Sequence, residues 1–139
     1  ITFLKWEVQE SSVKIELHLG GQARKVAANR IQIEQVLVNL VRNSLEALEN
    51  VEKSGRRIII KTRVMPNERI EVTVTDNGPG INPEMSGKIF NQFQTSKKTG
   101  MGIGLSLSRS IIESHGGKLW VDENHKNGAL FGFELPVIE

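Results

Sequence analysis

At 139 residues the chain has the length of one domain, large enough to bury roughly two-thirds of its unfolded surface. A hydrophobic content of 38%, a charged content of 24% and a net charge of +2 are those of an ordinary soluble protein and argue against a nucleic-acid binder, since Lys97-Lys98 and Arg56-Arg57 are the only dense basic runs. The lack of cysteine excludes a disulfide frame and a thiolate metal site and is consistent with a cytoplasmic domain; no apolar run approaches the ~20 residues that span a bilayer, and no signal peptide is visible, so no membrane contact is expected of this domain.

The chain opens in mid-pattern at Ile1-Thr2-Phe3, as expected of a domain excised from a longer protein. Val13, Ile15, Leu17 and Leu19 alternate with polar residues up to Gly20-Gly21 and predict a strand and a turn. Ile33, Val36, Leu37, Leu40, Val41, Ser44 and Leu48 recur at helical spacing and predict a helix over 30–50, closed by Lys53-Ser54-Gly55. Strands over 58–64 and 70–75, joined at Pro66-Asn67, read as a hairpin. Residues 82–99 show no clean period, and a connection this long inside a compact domain points to a functional lid. A second helix over 104–115 stops at Gly116-Gly117. Strands at 119–121 and 130–135 follow, the last with Phe131, Phe133 and Leu135 on one face. The order predicts an α/β two-layer sandwich, with a mixed, mostly antiparallel sheet and helices on one face.

Two segments carry chemistry. Ile70, Val72, Val74 and Asp76 fall on one side of their strand, so the carboxylate projects from the apolar face just before the turn Asn77-Gly78-Pro79-Gly80-Ile81. An ionised carboxylate there costs several kcal/mol unless donors reach it, and the amino group of a bound base is such a donor. The run Gly100-Met101-Gly102-Ile103-Gly104-Leu105 leads into a helix, where backbone N–H groups can face a phosphate. Together they point to a nucleotide, and Lys97-Lys98 supplies a basic patch beside the phosphates. The pair Arg56-Arg57 reads as a solvated strand edge.

On the first long helix Asn39 and Asn43 are four residues apart and share a flank of the apolar stripe, with Glu46 and then Arg42 further round. Asparagine is a poor helix former, and neutral amide oxygens suit a hard cation that keeps several waters, as Mg²⁺ does, with phosphates as its main ligands.

In this order the motifs resemble the catalytic ATP-binding domain of bacterial sensor histidine kinases, the Bergerat fold shared with gyrase and MutL-type ATPases, over nearly the whole chain. The stretch from Gln35 to Ala47 is similar to the N box, Asp76-Asn77-Gly78-Pro79-Gly80-Ile81 to the G1 box, Ile89-Phe90-Asn91-Gln92-Phe93 to the F box and Gly100-Met101-Gly102-Ile103-Gly104-Leu105 to the G2 box. His115-Gly116-Gly117-Lys118-Leu119-Trp120-Val121 and Gly128-Ala129-Leu130-Phe131 fit the C-terminal end, and the wording around Thr95-Ser96-Lys97 is similar to nitrogen- and oxygen-regulatory kinases. The resemblance implies that Asp76 accepts from the adenine amino group and that Gly78 and Gly80 let backbone approach the base, with Ile81 beside them. It implies that Asn43 is the Mg²⁺ ligand and that Asn39 contacts phosphate or metal-bound water. Gly100, Gly102 and Gly104 would hinge the lid and, with Met101, Ile103 and Leu105, present amides to the triphosphate. Lys97 and Lys98 would neutralise the terminal phosphates, and Phe90 and Phe93 would anchor the lid and meet a partner helix.

Where hydrolysing members carry a glutamate four residues before the metal asparagine, this chain has Asn39, an amide that cannot act as a general base. Glu46, one turn beyond Asn43, does not replace it. The expectation is therefore phosphoryl transfer by positioning and charge neutralisation, to a histidine on a separate dimerisation domain and onward to a response regulator. His18, His115 and His125 read as structural or surface residues, so the fragment is expected to bind Mg-ATP without phosphorylating itself. A serine kinase of the anti-sigma type and a nucleotide-sensing interaction module are the alternatives.

Overall fold

The computed structural model describes residues 12–20, 25–26, 28–49, 51–78, 101–122 and 128–138. The chain folds as β1 (Lys14–Leu19), β2 (Lys25–Val26), α1 (Arg30–Ala47), a 3-10 turn (Lys53–Gly55), β3 (Arg57–Met65), β4 (Arg69–Asp76), α2 (Met101–Ser114), β5 (Lys118–Asp122) and β6 (Leu130–Ile138). Among the described residues six strands make one sheet, ordered β1-β3-β4-β6, with β5 and β2 both on the far side of β6. Leu130 to Glu134 pair with β5, while Val137 and Ile138 pair with β2. Only β1 and β3 run parallel; the other pairings are antiparallel.

Side-chain alternation sorts the sheet into two faces. Ile58 and Ile60 of β3, Val74 of β4, Leu119 of β5, and Phe131, Phe133 and Leu135 of β6 are buried on one of them, under Val36, Leu40 and Val41 of α1 and Leu105, Ile111 and Ile112 of α2. The opposite face is polar, with Arg63 opposite Glu71 (Nε to Oε1 2.7 Å), Arg69 near Glu134 (Nε to Oε1 2.9 Å) and Arg57 paired with Glu16. This is the expected two-layer arrangement: a mixed, mostly antiparallel sheet with helices on one face.

The elements differ from the sequence reading mainly at their ends. α1 stops at Ala47, three residues short of the expected 50, with Leu48 as its C-cap. The Arg56 side chain accounts for that stop: its Nε donates to Val51 O and its Nη2 to Glu49 O, each at 2.9 Å, so the carbonyls beyond the helix have a partner. Arg56 is therefore a half-buried clamp and not the solvated edge residue expected, whereas Arg57 is exposed. α2 begins at Met101 and not at 104, which puts Gly102 and Gly104 inside its first turn. The two-residue strand β2 escapes any periodicity test. The lid expected over 82–99 lies outside the described residues.

Candidate functional site

Asp76 closes β4, opposite Ile58, and is 2% exposed. Its Oδ1 accepts from the backbone N–H of Gly78 at 2.9 Å and of Ala129 at 3.4 Å, while its own N–H donates to Ala129 O at 3.1 Å. Two strand ends thus grip one carboxylate. Gly128, at φ +104, makes that grip possible: a Cβ there would lie 1.8 Å from Asp76 O and 3.0 Å from Oδ1. At Gly78 a Cβ would come within 3.0 Å of Ala47 O and 3.1 Å of Asp76 Oδ1, so the start of the turn is wedged between the end of α1 and the carboxylate. Asn77 faces away. Its Oδ1 accepts from Arg57 N–H at 2.8 Å and its Nδ2 donates to Gly55 O at 2.6 Å, tying the end of β4 to the turn before β3.

The polar flank of α1 runs toward this corner. Asn43 is 6% exposed, and its Nδ2 is buried with no hydrogen-bond partner among the described residues. The same holds for Glu46 Oε2, one turn further on. A buried polar atom left unsatisfied costs about 1–3 kcal/mol. Rotating the Asn43 amide by half a turn brings its oxygen to that position, the chemistry a hard cation needs. Asn39, one turn before Asn43, donates from Nδ2 to Ser108 Oγ of α2 at 3.1 Å. Asn39 and Arg42 also line a surface groove of about 410 Å³ with Ile31, Glu34, Gln35 and Val38. No group of three or more His, Cys, Asp or Glu side chains among the described residues could hold a metal ion.

α2 brings its N-terminus to the same side. Leu105 is fully buried, and a Cβ on Gly104 would meet Asn39 Cγ at 3.9 Å, ordinary contact between the helices. The first-turn N–H groups of an α-helix have no partner within it and carry the positive end of its dipole. Met101, Gly102 and Ile103 are helical, but their side-chain surroundings, like Gly80, Ile81, Phe90, Phe93, Lys97, Lys98 and Gly100, lie outside the described residues, as does His125. Of the other histidines, His18 is exposed beside Glu16 at 3.5 Å, as expected. His115 is structural in a specific way: Nδ1–H donates to Ile111 O at 2.7 Å and Nε2 accepts from Asn29 N–H at 3.1 Å, joining the end of α2 to the start of α1.

Three residues of this corner had no role at the site assigned from the sequence. Ser108 is fully buried and lies between Leu105 and Ile112 on the apolar face of α2, so a hydroxyl at a core position of the helical pattern was the available clue. Gly128 and Ala129, just ahead of β6, stood only within the C-terminal motif; the fold brings them to Asp76.

Residues 28–139 match the family described as histidine kinase-, DNA gyrase B- and HSP90-like ATPases. The chain belongs to this ATPase family. It is 43% identical over 131 residues to the sensor protein FixL of Bradyrhizobium diazoefficiens, a match covering 94% of this chain and 26% of that protein. The catalytic domain of the histidine kinase ThkA superposes with a TM-score of 0.81 at 38% identity, covering 97% of this chain and 86% of that one. ThkA in complex with the response regulator TrrA gives a TM-score of 0.79 at 33% identity, covering 99% of this chain and 38% of the matched one. The chain spans about a quarter of the length of the curated relatives it matches, and its fold is that of a histidine kinase catalytic domain. No helix among the described residues is long and apolar enough to cross a membrane.

Proposed function

We propose that this domain binds ATP with Mg²⁺ and presents the γ-phosphoryl group to a histidine on a separate dimerisation domain, as the kinase half of a two-component sensor that then serves a response regulator. The observation that carries the reading is Asp76, buried on the helix-facing side of the sheet with Oδ1 engaged by Gly78 and Ala129. A carboxylate held in this way offers an acceptor to an exocyclic amino group and discriminates against bases that lack one. Asn43, with an unsatisfied buried amide, is the protein ligand for Mg²⁺, and Glu46 lies one turn away to take part through the cation's waters. When bound, the cation neutralises charge developing on the phosphates. The first turn of α2, from Met101 through Gly104 to Leu105, supplies N–H donors to the triphosphate. Lys97 and Lys98 add positive charge, and Gly78, Gly80 and Ile81 lie against the base.

Transfer, and not hydrolysis, follows from Asn39. Its nitrogen donates to Ser108 and its oxygen is an amide oxygen, too weak a base to take a proton from water. The attacking atom is then an imidazole nitrogen: the N–P bond forms as the bond from the γ-phosphorus to the β,γ-bridging oxygen breaks, and ADP leaves. In the sensor this domain would occupy the cytoplasmic portion, docking through Phe90 and Phe93 on the dimerisation domain, without nucleic acid or membrane contact of its own.

Calorimetric titration of the chain with ATP, with and without Mg²⁺, tests the reading. Micromolar-range binding that strengthens with Mg²⁺ is expected, and loss of binding in Asp76→Asn, where an amide nitrogen sets a donor against the adenine amino group. Wild-type affinity in that variant would overturn the adenine assignment. With γ-labelled ATP, the chain alone should remain unlabelled and a supplied dimerisation domain should gain acid-labile phosphate. Acid-stable label would favour the serine kinase, and no transfer at all the nucleotide-sensing module.

A further inference from the structure

Asn39 and Ser108 are 69 residues apart in the chain, yet they form the side-chain hydrogen bond that joins α1 to α2 beneath the glycine run. Ser108 is 0% exposed. A hydroxyl with no access to water keeps a place in a core only when its hydrogen bonding is satisfied within the protein. Its partner is Asn39 Nδ2, at 3.1 Å. Across the same helix contact a Cβ on Gly104 would only just reach Asn39 Cγ, at 3.9 Å, so the glycine leaves room for the carboxamide beside the buried hydroxyl.

We propose that Ser108 is a positioning residue: by accepting from Nδ2 it fixes the rotation of the Asn39 carboxamide, so that Oδ1 is the atom presented to the nucleotide site. This deepens the ATP-binding reading and rests on it. The chemical consequence is a choice between two contacts. An amide nitrogen would suit a phosphate oxygen, whereas an amide oxygen repels phosphate and accepts from a water on the cation. With its nitrogen engaged, Asn39 serves the hydration shell of Mg²⁺, one turn of α1 away from Asn43, and not the phosphates directly. The contact also couples two halves of the site. Asn39 belongs to the helix that carries the metal ligand, and Ser108 to the helix whose first turn faces the triphosphate, so a shift of α2 changes what α1 offers the cation.

The test separates positioning from mere stability. In the nucleotide-free protein, the Asn39 side-chain NH₂ resonances, assigned by their disappearance in Asn39→Asp, should shift in Ser108→Ala, because the nitrogen has lost its acceptor. The ratio of ATP affinities with and without Mg²⁺ should fall by about three- to tenfold, the worth of one hydrogen bond, while the metal-free affinity stays at the wild-type value. Ser108→Cys fills the same space with a poor acceptor and should give the same ratio, which removes cavity formation as the cause. Adding Ser108→Ala to Asn39→Ala should bring no further loss. Unshifted amide resonances, an unchanged Mg²⁺ enhancement, or equal losses with and without the cation would each overturn the proposal. Failure of the wild-type chain to bind ATP would instead overturn the nucleotide reading, and the amide resonances would still decide the Asn39–Ser108 link.

Discussion

Asp76 shows how a single buried carboxyl is held in place. Two backbone N–H groups from opposite strand ends are turned onto its Oδ1, and this requires the chain at Gly128 to approach Asp76 O more closely than any Cβ allows. Gly128→Ala should therefore cost about 2–4 kcal/mol, combining overpacking against backbone with the penalty of a positive φ, read as a lower urea midpoint at unchanged slope. ATP affinity should fall with it, since Asp76 O and Oδ1 move together. The sequence shows why Asp76 stands out, because alternation through Ile70, Val72 and Val74 turns it inward and the Asn-Gly-Pro-Gly turn follows. It shows nothing of Ala129, or of Gly128 as a backing residue, because those contacts are 53 residues away in the chain. The asparagines of α1 were legible as a polar flank at i, i+4 spacing. That Asn39 is held by Ser108 while Asn43 Nδ2 has no partner among the described residues could be read only from the packing of the helices.

Elements here are fixed at their ends by side chains of other elements. Asn29 caps α1, its Oδ1 accepting from Gln32 N–H at 3.1 Å, and its own N–H donates to His115 beyond α2. Asn29→Ala removes the cap and should lower stability by about 1 kcal/mol, measured by denaturant unfolding. His115 needs its neutral imidazole to accept from Asn29 and donate to Ile111 at once. At the sheet edge, Arg57 holds the Glu16 carboxyl below the ordinary carboxylate range, first through their hydrogen bond and against the opposing effect of desolvation, with further lowering from the Arg57 charge, a hydrogen bond to His18 and the Lys14 charge. Because the folded pKa lies below the unfolded one, this pair's contribution is present above the unfolded value and is lost as pH falls through the folded value. Arg57→Gln should move the Glu16 midpoint up toward that of a free glutamate in an NMR titration, and the acid side of the stability curve should flatten. The periodic stretches declared themselves as helix and strand, but their limits did not: Arg56 ends α1 from nine residues past Ala47, and α2 begins three residues before the expected 104, which takes in Gly102.

Across the whole molecule, one strand does most of the joining. β6 borders β4 on one side and, on the other, first β5 and then β2. The two-layer architecture was readable from the order of periodic segments, since each needs a layer on which to bury its apolar side. The pairing of Lys25 with Ile138 was not readable, because a two-residue strand has no period and its partner lies 113 positions away. That pairing has a kinetic consequence. The strand at the heart of the sheet follows the other described strands in the chain, so β4 leaves the ribosome with an open edge, and the core beneath α1 and α2 stays incomplete until Phe131, Phe133 and Leu135 arrive. Contacts this distant in sequence slow the search for the native state, and an unpaired strand edge invites association with other chains while it waits. Chains cut short before β6 should collapse without becoming native, and premature termination would yield aggregates in place of a weakened domain.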